Sequence, residues 1–399
     1  MKKIKVLILL FLAFFGLVAC GKQDINQLVL VSAIGFDKDE EAGGFKMVAQ
    51  IVNRNILVPD PPQITPVFVV TVKGKTVFEC IRNLNDLLPN KIYLINLQLL
   101  AFSEDIAKEG IKDFVHFFVN YSEAQQEYNV LITKGITVED FFAQISVFSM
   151  FPIRILISKL ETAAKEFGFA KKTFVDKLYQ GLMSDTESLI LSSVEVHGKL
   201  EEGETIDQNK KTKIPTEIKI SDMAVFDGDK LVGWLDRKES ISYNFVMGEI
   251  ENTVVVVEGE QENQISNIVK NVKSNLKVEI VDNKPKVKID IKFDAYVIED
   301  TKGMIDLDLG YLEVVKQQLE KKAINEITKC IEKSQKELDI DIFCIANKLY
   351  KKHPNWWREN KDKFKEMYKD IEFEVIVKPN IRRLYIWKRR LVQDSFMHC

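Results

Sequence analysis

Apolar positions in this chain recur with a period of two in short stretches and with a period of three to four between them. Leu28–Phe36 is a nearly unbroken apolar run and predicts a buried strand. Asp37–Gly44 is a polar turn, and Phe45–Val52 alternates as the return strand. Pro59, Pro61 and Pro62 mark a loop before a third strand at Val67–Val72. Thr76 is placed to cap a helix running to Leu88, with Val77, Ile81, Leu84 and Leu88 on one face and Cys80 beside them as a small core residue. A strand at Leu97–Phe102, an amphipathic helix at Ile106–Val119, a strand at Tyr128–Thr133, short helices to Gln180 and a strand at Leu189–Val196 follow. This alternation predicts an α/β layer structure with a largely helix-covered sheet.

Gly203–Thr212 is polar and reads as a loop between domains. Ile218–Phe226 and Leu231–Leu235 flank Asp227-Gly-Asp-Lys230, the signature of a hairpin. Arg237–Phe245 reads as a short helix and Thr253–Glu258 as a buried strand. Ile265–Val281 and Val287–Val297 flank the turn Asp282-Asn-Lys-Pro285 and predict a second hairpin. Residues 309–338 read as one long helix, with Leu312, Val315, Leu319, Ala323, Ile327 and Ile331 on one face. A helix holding Ile342, Ile345, Ala346 and Leu349 stops at Pro354, Trp356 and Trp357 begin another, and Ile371–Val377 alternates as a closing strand. The expected fold class is α/β (mixed α+β), with mixed sheets packed against helices. The expected organisation is a leader at 1–19, an α/β domain at 20–200, a small middle domain with a hairpin at 213–262, and an α/β domain with a long helix at 263–399.

The start of the chain has a different pattern. Met1-Lys-Lys-Ile-Lys5 is basic, and an uninterrupted apolar run of thirteen residues follows from Val6 to Val18. Such a run is about 20 Å long as a helix, short of a hydrocarbon core of about 30 Å, so it fits a cleaved signal better than a permanent span. It ends at Leu17-Val18-Ala19-Cys20-Gly21, which resembles the lipobox of bacterial lipoproteins: an apolar residue three before the cysteine, a small residue just before it, and the cysteine itself. That chemistry needs the Cys20 thiolate to accept a diacylglyceryl group, after which cleavage frees an amine for further acylation. An ordinary secretory signal followed by a chance cysteine is the alternative.

Length and composition narrow the function classes. At 399 residues and about 150 per domain, two or three domains fit. The net charge of −3 is uneven: residues 380–399 carry +4 and residues 20–379 carry −10, too acidic a body for nucleic acid. No CxxC occurs, and His116, His197, His353 and His398 are far apart, so neither a metal site nor a cofactor is expected; Cys330 and Cys344 could bridge. Gly74-Lys75-Thr76 lacks the first glycine of a phosphate loop, with Val69 in its place. Asp37–Glu41 lacks the glycine and final glutamate of a calcium loop, with Ala42 and Val48 in theirs. Carboxylate pairs fall on solvated helix faces, where nothing raises a pKa for acid–base work, and the chain reads as non-enzymatic. His353-Pro-Asn-Trp356-Trp357 pins a helix onto the sheet or offers an aromatic anchor to a partner. Arg382, Arg383, Lys388, Arg389 and Arg390, interleaved with Tyr385 and Trp387, form a solvated terminus or a contact for anionic lipid headgroups. An extracytoplasmic solute-binding lipoprotein is a rival reading, but it calls for two similar lobes, and the halves about residue 200 look dissimilar.

Four stretches resemble the Ger(x)C family of spore germination lipoproteins, the C subunits of nutrient germinant receptors. They are the lipobox with Asp24–Leu28 and Val31–Asp39; Met223-Ala-Val-Phe-Asp-Gly-Asp-Lys-Leu-Val-Gly-Trp-Leu235; the Asp282–Pro285 hairpin before a long helix; and Asp341–Ala346 through His353–Trp356 to Ile381–Arg383. The resemblance covers nearly all of the chain beyond residue 19. It implies a three-domain mixed architecture, no catalysis, and acylation at Cys20, which would hold the protein on the outer face of the spore's inner membrane. It also implies a place there beside a multi-spanning A subunit and a transporter-like B subunit. The chain departs from the family in keeping only Gly233 and Gly248 where a Gly-rich segment is usual, and in running on through Leu384–Cys399.

Overall fold

The computed structural model describes residues 29–40, 43–57, 64–121, 127–259, 263–301 and 309–382. The first part of the chain forms β1 (Val29–Asp39), β2 (Gly44–Val52), β3 (Val67–Gly74), α1 (Val77–Leu87), β4 (Ile92–Tyr93), β5 (Leu99–Ser103), α2 (Glu104–Glu109), α3 (Lys112–Asn120), β6 (Asn129–Thr133), α4 (Val138–Ala143), α5 (Pro152–Lys165), α6 (Val175–Leu182) and β7 (Leu189–Gly198). After the short α7 (Leu200–Gly203) come β8 (Thr216–Asp227), β9 (Lys230–Leu235), α8 (Arg237–Met247), β10 (Asn252–Glu258), β11 (Gln264–Val281) and β12 (Lys284–Asp300). The chain closes with α9 (Leu309–Lys333), α10 (Ile345–Lys352), α11 (Pro354–Asn360), α12 (Phe364–Tyr368) and β13 (Glu372–Arg382). The fold is mixed α+β, as expected.

The large sheet has the order β3-β2-β1-β5-β6-β7-β8-β9, with β4 beside the start of β1. Strands β1, β5, β6 and β7 run parallel, while β2, β3, β8 and β9 are antiparallel to their neighbours. Helices α1, α2, α3 and α6 bury Ile81, Ile106, Val115 and Leu178 on one face, and α4 and α5 bury Phe142, Leu156 and Leu160 on the other. The second sheet, β10-β11-β12-β13, packs its apolar face under α8, α9 and α10.

Local chemistry sets most boundaries. Thr76 caps α1, its side chain accepting from Glu79 N, and Cys80 is fully buried. Asp282 and Asn283 both have positive φ (50° and 61°), the backbone that a two-residue turn between β11 and β12 requires. Gly35 lets α4 approach β1, because a Cβ there would lie 2.4 Å from Val138 Cγ1. The same contact brings Asp37 under α4, where its carboxylate accepts from Val138 N (2.8 Å) and Glu139 N (3.0 Å).

Several expectations are corrected. Ile106–Val119 is two helices, not one. Gly110, at φ 131°, breaks it, and Asp229 from the β8–β9 turn fills the gap, its backbone oxygen accepting from Ile111 N (3.1 Å). The long helix keeps its expected bounds, 309–338, but its last turn, Ser334–Leu338, is a π turn whose Ser334 Oγ donates to Ile340 O. Gly203–Thr212 is no free linker: Gln208 is buried and donates to Ile145 O and Gly203 O. The segment 213–262 does not close on a core of its own. Its hairpin β8–β9 is bonded to β7 in the first sheet, and β10 is bonded to β11 in the second. The reason lies in the alternation along β8: Met223 and Val225 enter the second core, Ala224 and Phe226 the first.

Asp341 stands three residues before Cys344, the N-cap of α10. Its Oδ2 accepts from Ala346 N at 2.7 Å. Burial raises its pKa from 3.8 to about 6, against the backbone amides of Ala346, Ile345 and Phe343, which lower it. Two carboxyls, the buried Asp37 and the part-buried Asp341, thus have raised pKa values, contrary to the expectation that all would be solvated, yet both accept from the backbone of a helix start.

Two measurements check this account. Phe226→Ala removes a ring fully buried between strand and helices and should lower the unfolding free energy by about 3–5 kcal/mol in urea titrations. For Asp341, a folded pKa above the unfolded one means that the folded state holds the proton more tightly. Its contribution is therefore intact below pH 3.8 and lost as the pH rises to about 6. Asp341→Asn, which keeps the acceptor for Ala346 N, should match the wild type near pH 4 and exceed it by about 1–3 kcal/mol at pH 7.

Candidate functional site

Leu17, Val18, Ala19, Cys20 and Gly21 lie outside the described residues, as do Arg383, Lys388, Arg389 and Arg390. Arg382 ends β13 and its Nε donates to Asp294 Oδ1 at 3.0 Å. Trp356 and Trp357 sit on α11, which opens with Pro354 at its first position. The Trp356 indole donates to Asn283 Oδ1 (3.0 Å) and Asn283 O (3.2 Å), tying α11 to the β11–β12 turn. Trp357 meets Phe364 edge-on at 5.2 Å, and both indoles pack against the second core. Pinning within the chain is thus the role that their contacts display.

A cleft of about 1410 Å³ opens between the two halves of the molecule. One wall is the segment Leu182–Ser188, which leads into β7, together with the turn Asp227-Gly228-Asp229. Gly228, at φ 61°, permits that turn, and Asp229 is held against Gly110. The other wall is the segment Asp339–Asp341 with α10, α11 and α12. Lys365 Nζ crosses the cleft to Asp227 Oδ2 at 3.0 Å, and Asn347 Nδ2 donates across it to Glu187 Oε1. Lys369 pairs with Asp339 at 3.0 Å on the second wall. Met183 and Tyr350 line the cleft with their side chains about half exposed.

Chemically the lining is mixed in charge and partly apolar. No group of three metal-ligating side chains occurs among the described residues. His116 lies beside Tyr179 and His197 beside Glu195, both on the surface and apart from the cleft. Cys330 and Cys344 are free thiols, and burial raises the pKa of both, that of Cys344 to about 11, so neither is an activated nucleophile. The two halves differ in strand number, order and helix placement, unlike the paired lobes of a solute-binding protein. The cleft residues were not singled out in the sequence. They come from segments as distant as Lys112 and Lys365, and only the Asp-Gly turn carried a local signal.

The family profile described as "Spore germination protein N-terminal domain" matches residues 21–196, and that described as "Spore germination B3/ GerAC like, C-terminal" matches residues 221–385. Spore germination protein KC of Bacillus subtilis (strain 168) is 22% identical over 396 residues, covering 96% of each chain. Spore germination protein B3 of the same organism is 22% identical over 371 residues, covering 90% of this chain and 93% of that one. The crystal structure of the GerBC protein superposes with a TM-score of 0.55 at 17% identity, covering 87% of this chain and 96% of that one, a likeness of fold. With both profiles matched in order and together covering most of its length, the chain belongs to the GerAC-like family of spore germination proteins.

Proposed function

We infer that this chain is a lipid-anchored, non-catalytic subunit of a nutrient germinant receptor, needed for the response to germinants. It is tethered through Cys20 on the outer face of the spore's inner membrane, beside a multi-spanning A subunit and a transporter-like B subunit. One observation carries the reading: the family match begins at residue 21, immediately after the lipobox cysteine that ends a basic-then-apolar leader. A mature chain starting at Cys20 then coincides with the matched span.

The physics fits. Each buried methylene of an acyl chain contributes about 0.8 kcal/mol, so two or three chains hold the protein stably where one is marginal. None of the described helices is long and apolar enough to cross a membrane. Tethering confines the protein to a thin layer and raises its effective concentration beside other membrane proteins, so weak contacts at the cleft suffice. Met183 and Tyr350 supply apolar contact there, and the surrounding charges supply register.

Three outcomes are expected. Metabolic labelling with a fatty acid should mark the wild type and not Cys20→Ala; equal labelling of both would remove the anchor. Deleting the gene should slow nutrient germination and leave vegetative growth intact, read as loss of optical density in germinating spores. Met183→Ala combined with Tyr350→Ala should lower co-purification of the membrane subunits from spore membranes, with stability within about 0.5 kcal/mol of wild type as for other surface changes.

A further inference from the structure

The second sheet is buried on one face. Val269, Val278, Ile289, Ile291 and Val377 point into the core beneath α8, α9 and α10, and the residues that alternate with them point the other way. Directly paired residues share a face, so the register gives the outer face row by row. Val254, Ile268, Tyr296 and Arg382 form one row across β10, β11, β12 and β13, with Val254 52% exposed. Lys270, Asp294 and Asn380 form the next, and Lys273, Lys292 and Lys378 the one after it. Lys277 and Lys288 stand side by side two rows further on. A bulge sets this pattern. From Lys270 to Lys273 β11 takes three steps against two on β12, and Asn271 turns to φ 55° to absorb the extra residue. A regular strand would have turned Lys273 inward.

Four acids of this face are already engaged. Lys286 pairs with Glu372 (2.8 Å), Lys288 with Glu374 (3.0 Å), Arg382 with Asp294 (3.0 Å) and Lys378 with Asp290 (3.8 Å), while Glu279 stands opposite Lys286. Lys270, Lys273, Lys277 and Lys292 are exposed and make no ion pair among the described residues. Like charges directly opposite in a sheet repel, so the row Lys273, Lys292 and Lys378 costs stability. A layer of negative charge laid over the face would offset that cost. The residue type favours lipid over protein as that layer. Lysine is depleted in protein–protein interfaces, where the planar fork of arginine is preferred, and its mobile, hydrated point charge suits headgroups that offer no fixed geometry. The apolar row of Val254, Ile268 and Tyr296 beside it suits the boundary just beneath such headgroups.

We propose that the outer face of the second sheet lies on the bilayer, with Lys270, Lys273, Lys277 and Lys292 over anionic headgroups and Val254, Ile268 and Tyr296 at the boundary with the acyl chains. The proposal rests on the lipid-anchored reading above and adds a second contact to it. The acyl chains hold the protein at the surface, and the sheet sets its orientation there. Each basic residue held near an anionic surface strengthens the contact about fivefold. Helix α9 then stands on the far side of the sheet from the lipid.

The test places a photo-crosslinking benzophenone amino acid at position 254, or at the exposed position 321 of α9, in the full acylated chain. The protein is reconstituted into vesicles of phosphatidylethanolamine and phosphatidylglycerol. Flotation reads the anchor, and mass spectrometry of the photolysed protein reads the face. Both variants are expected to float, with lipid adducts about tenfold more abundant from position 254 than from position 321, as shallow insertion of one face requires. Lys273→Glu combined with Lys292→Glu exchanges one like-charge pair for another and should remove that excess. Vesicles of phosphatidylcholine alone should remove it without any substitution. Equal yields from two floating variants in the anionic vesicles overturn the orientation and leave the anchor standing, and so does an excess that survives in the neutral ones. Failure of the acylated chain to float overturns both. Position 254 irradiated in spore membranes should again give lipid adducts; a protein adduct in their place overturns the proposal by assigning the face to a subunit interface.

Discussion

The structure depends on the two-sided burial of β8. Successive residues of a strand point to opposite faces, and along Met223-Ala-Val-Phe226 both faces are interior. Ala224 and Phe226 complete the first core with Leu191 and Leu231, while Met223 and Val225 complete the second with Leu235 and Tyr243. Burying a large apolar side chain contributes about 1.5–3 kcal/mol, so this short stretch supplies stability to both halves at once. It also leaves no slack between them. A register slip of one residue would exchange the two sets, putting Phe226 where Val225 fits, and both cores would fail together.

The cleft follows from this arrangement. The turn after β8 must emerge where the two halves meet, and its Asp229 is occupied in mending the break at Gly110 between α2 and α3. That leaves Asp227 to face Lys365 across the gap. An ion pair with both partners half exposed is worth little to folding, so its value lies in setting register. On the opposite wall the chain passes through a π turn, Asp339 at φ 54° and Cys344 at φ 55° within a few residues. Backbone of this kind persists only where its surroundings hold it, here Ser334 bonded to Tyr368, Gln335 donating to Tyr368 O and Ile371 O, and Asp341 accepting from Ala346 N. The rim of the cleft is thus rigid on both sides, which suits a surface that recognises a partner.

Much of the fold was legible in the sequence, because period-two and period-three-to-four patterns report which residues meet a core. The strands from Leu28 to Val52, the Thr76 cap and the Asp282–Asn283 turn follow from local chemistry alone. What was not legible depended on contacts between distant segments. Nothing around Ile106–Val119 says that a hairpin tip more than a hundred residues later will fill a break at Gly110. Nothing in 213–262 distinguishes a small domain from a strand with two interiors, since an apolar run reads the same whether its second face meets one core or two. Asp341 looks like one of many surface acids until the fold sets it against the backbone amides of Ala346, Ile345 and Phe343. The cleft is the extreme case, its walls drawn from segments between Lys112 and Tyr368 and its chemistry invisible in any one of them. The leader, by contrast, is read from adjacent residues, which is why Cys20 can be singled out from sequence alone.

Tether and cleft have a geometric relation that neither reveals alone. The parallel strands β1 and β7 begin at the same end of the large sheet, and β8 runs antiparallel to β7, so the β8–β9 turn lies at that end too. The Leu182–Ser188 wall of the cleft, which leads into β7, is there as well. Between β1 and β8 stand β5, β6 and β7, and at about 4.8 Å per strand the two corners are roughly 20 Å apart. With the proposed anchor at Cys20, nine residues before Val29, the cleft would stay within a short distance of the bilayer rather than project into solvent. On the proposed place beside membrane-embedded subunits, this is the side on which a contact surface is useful.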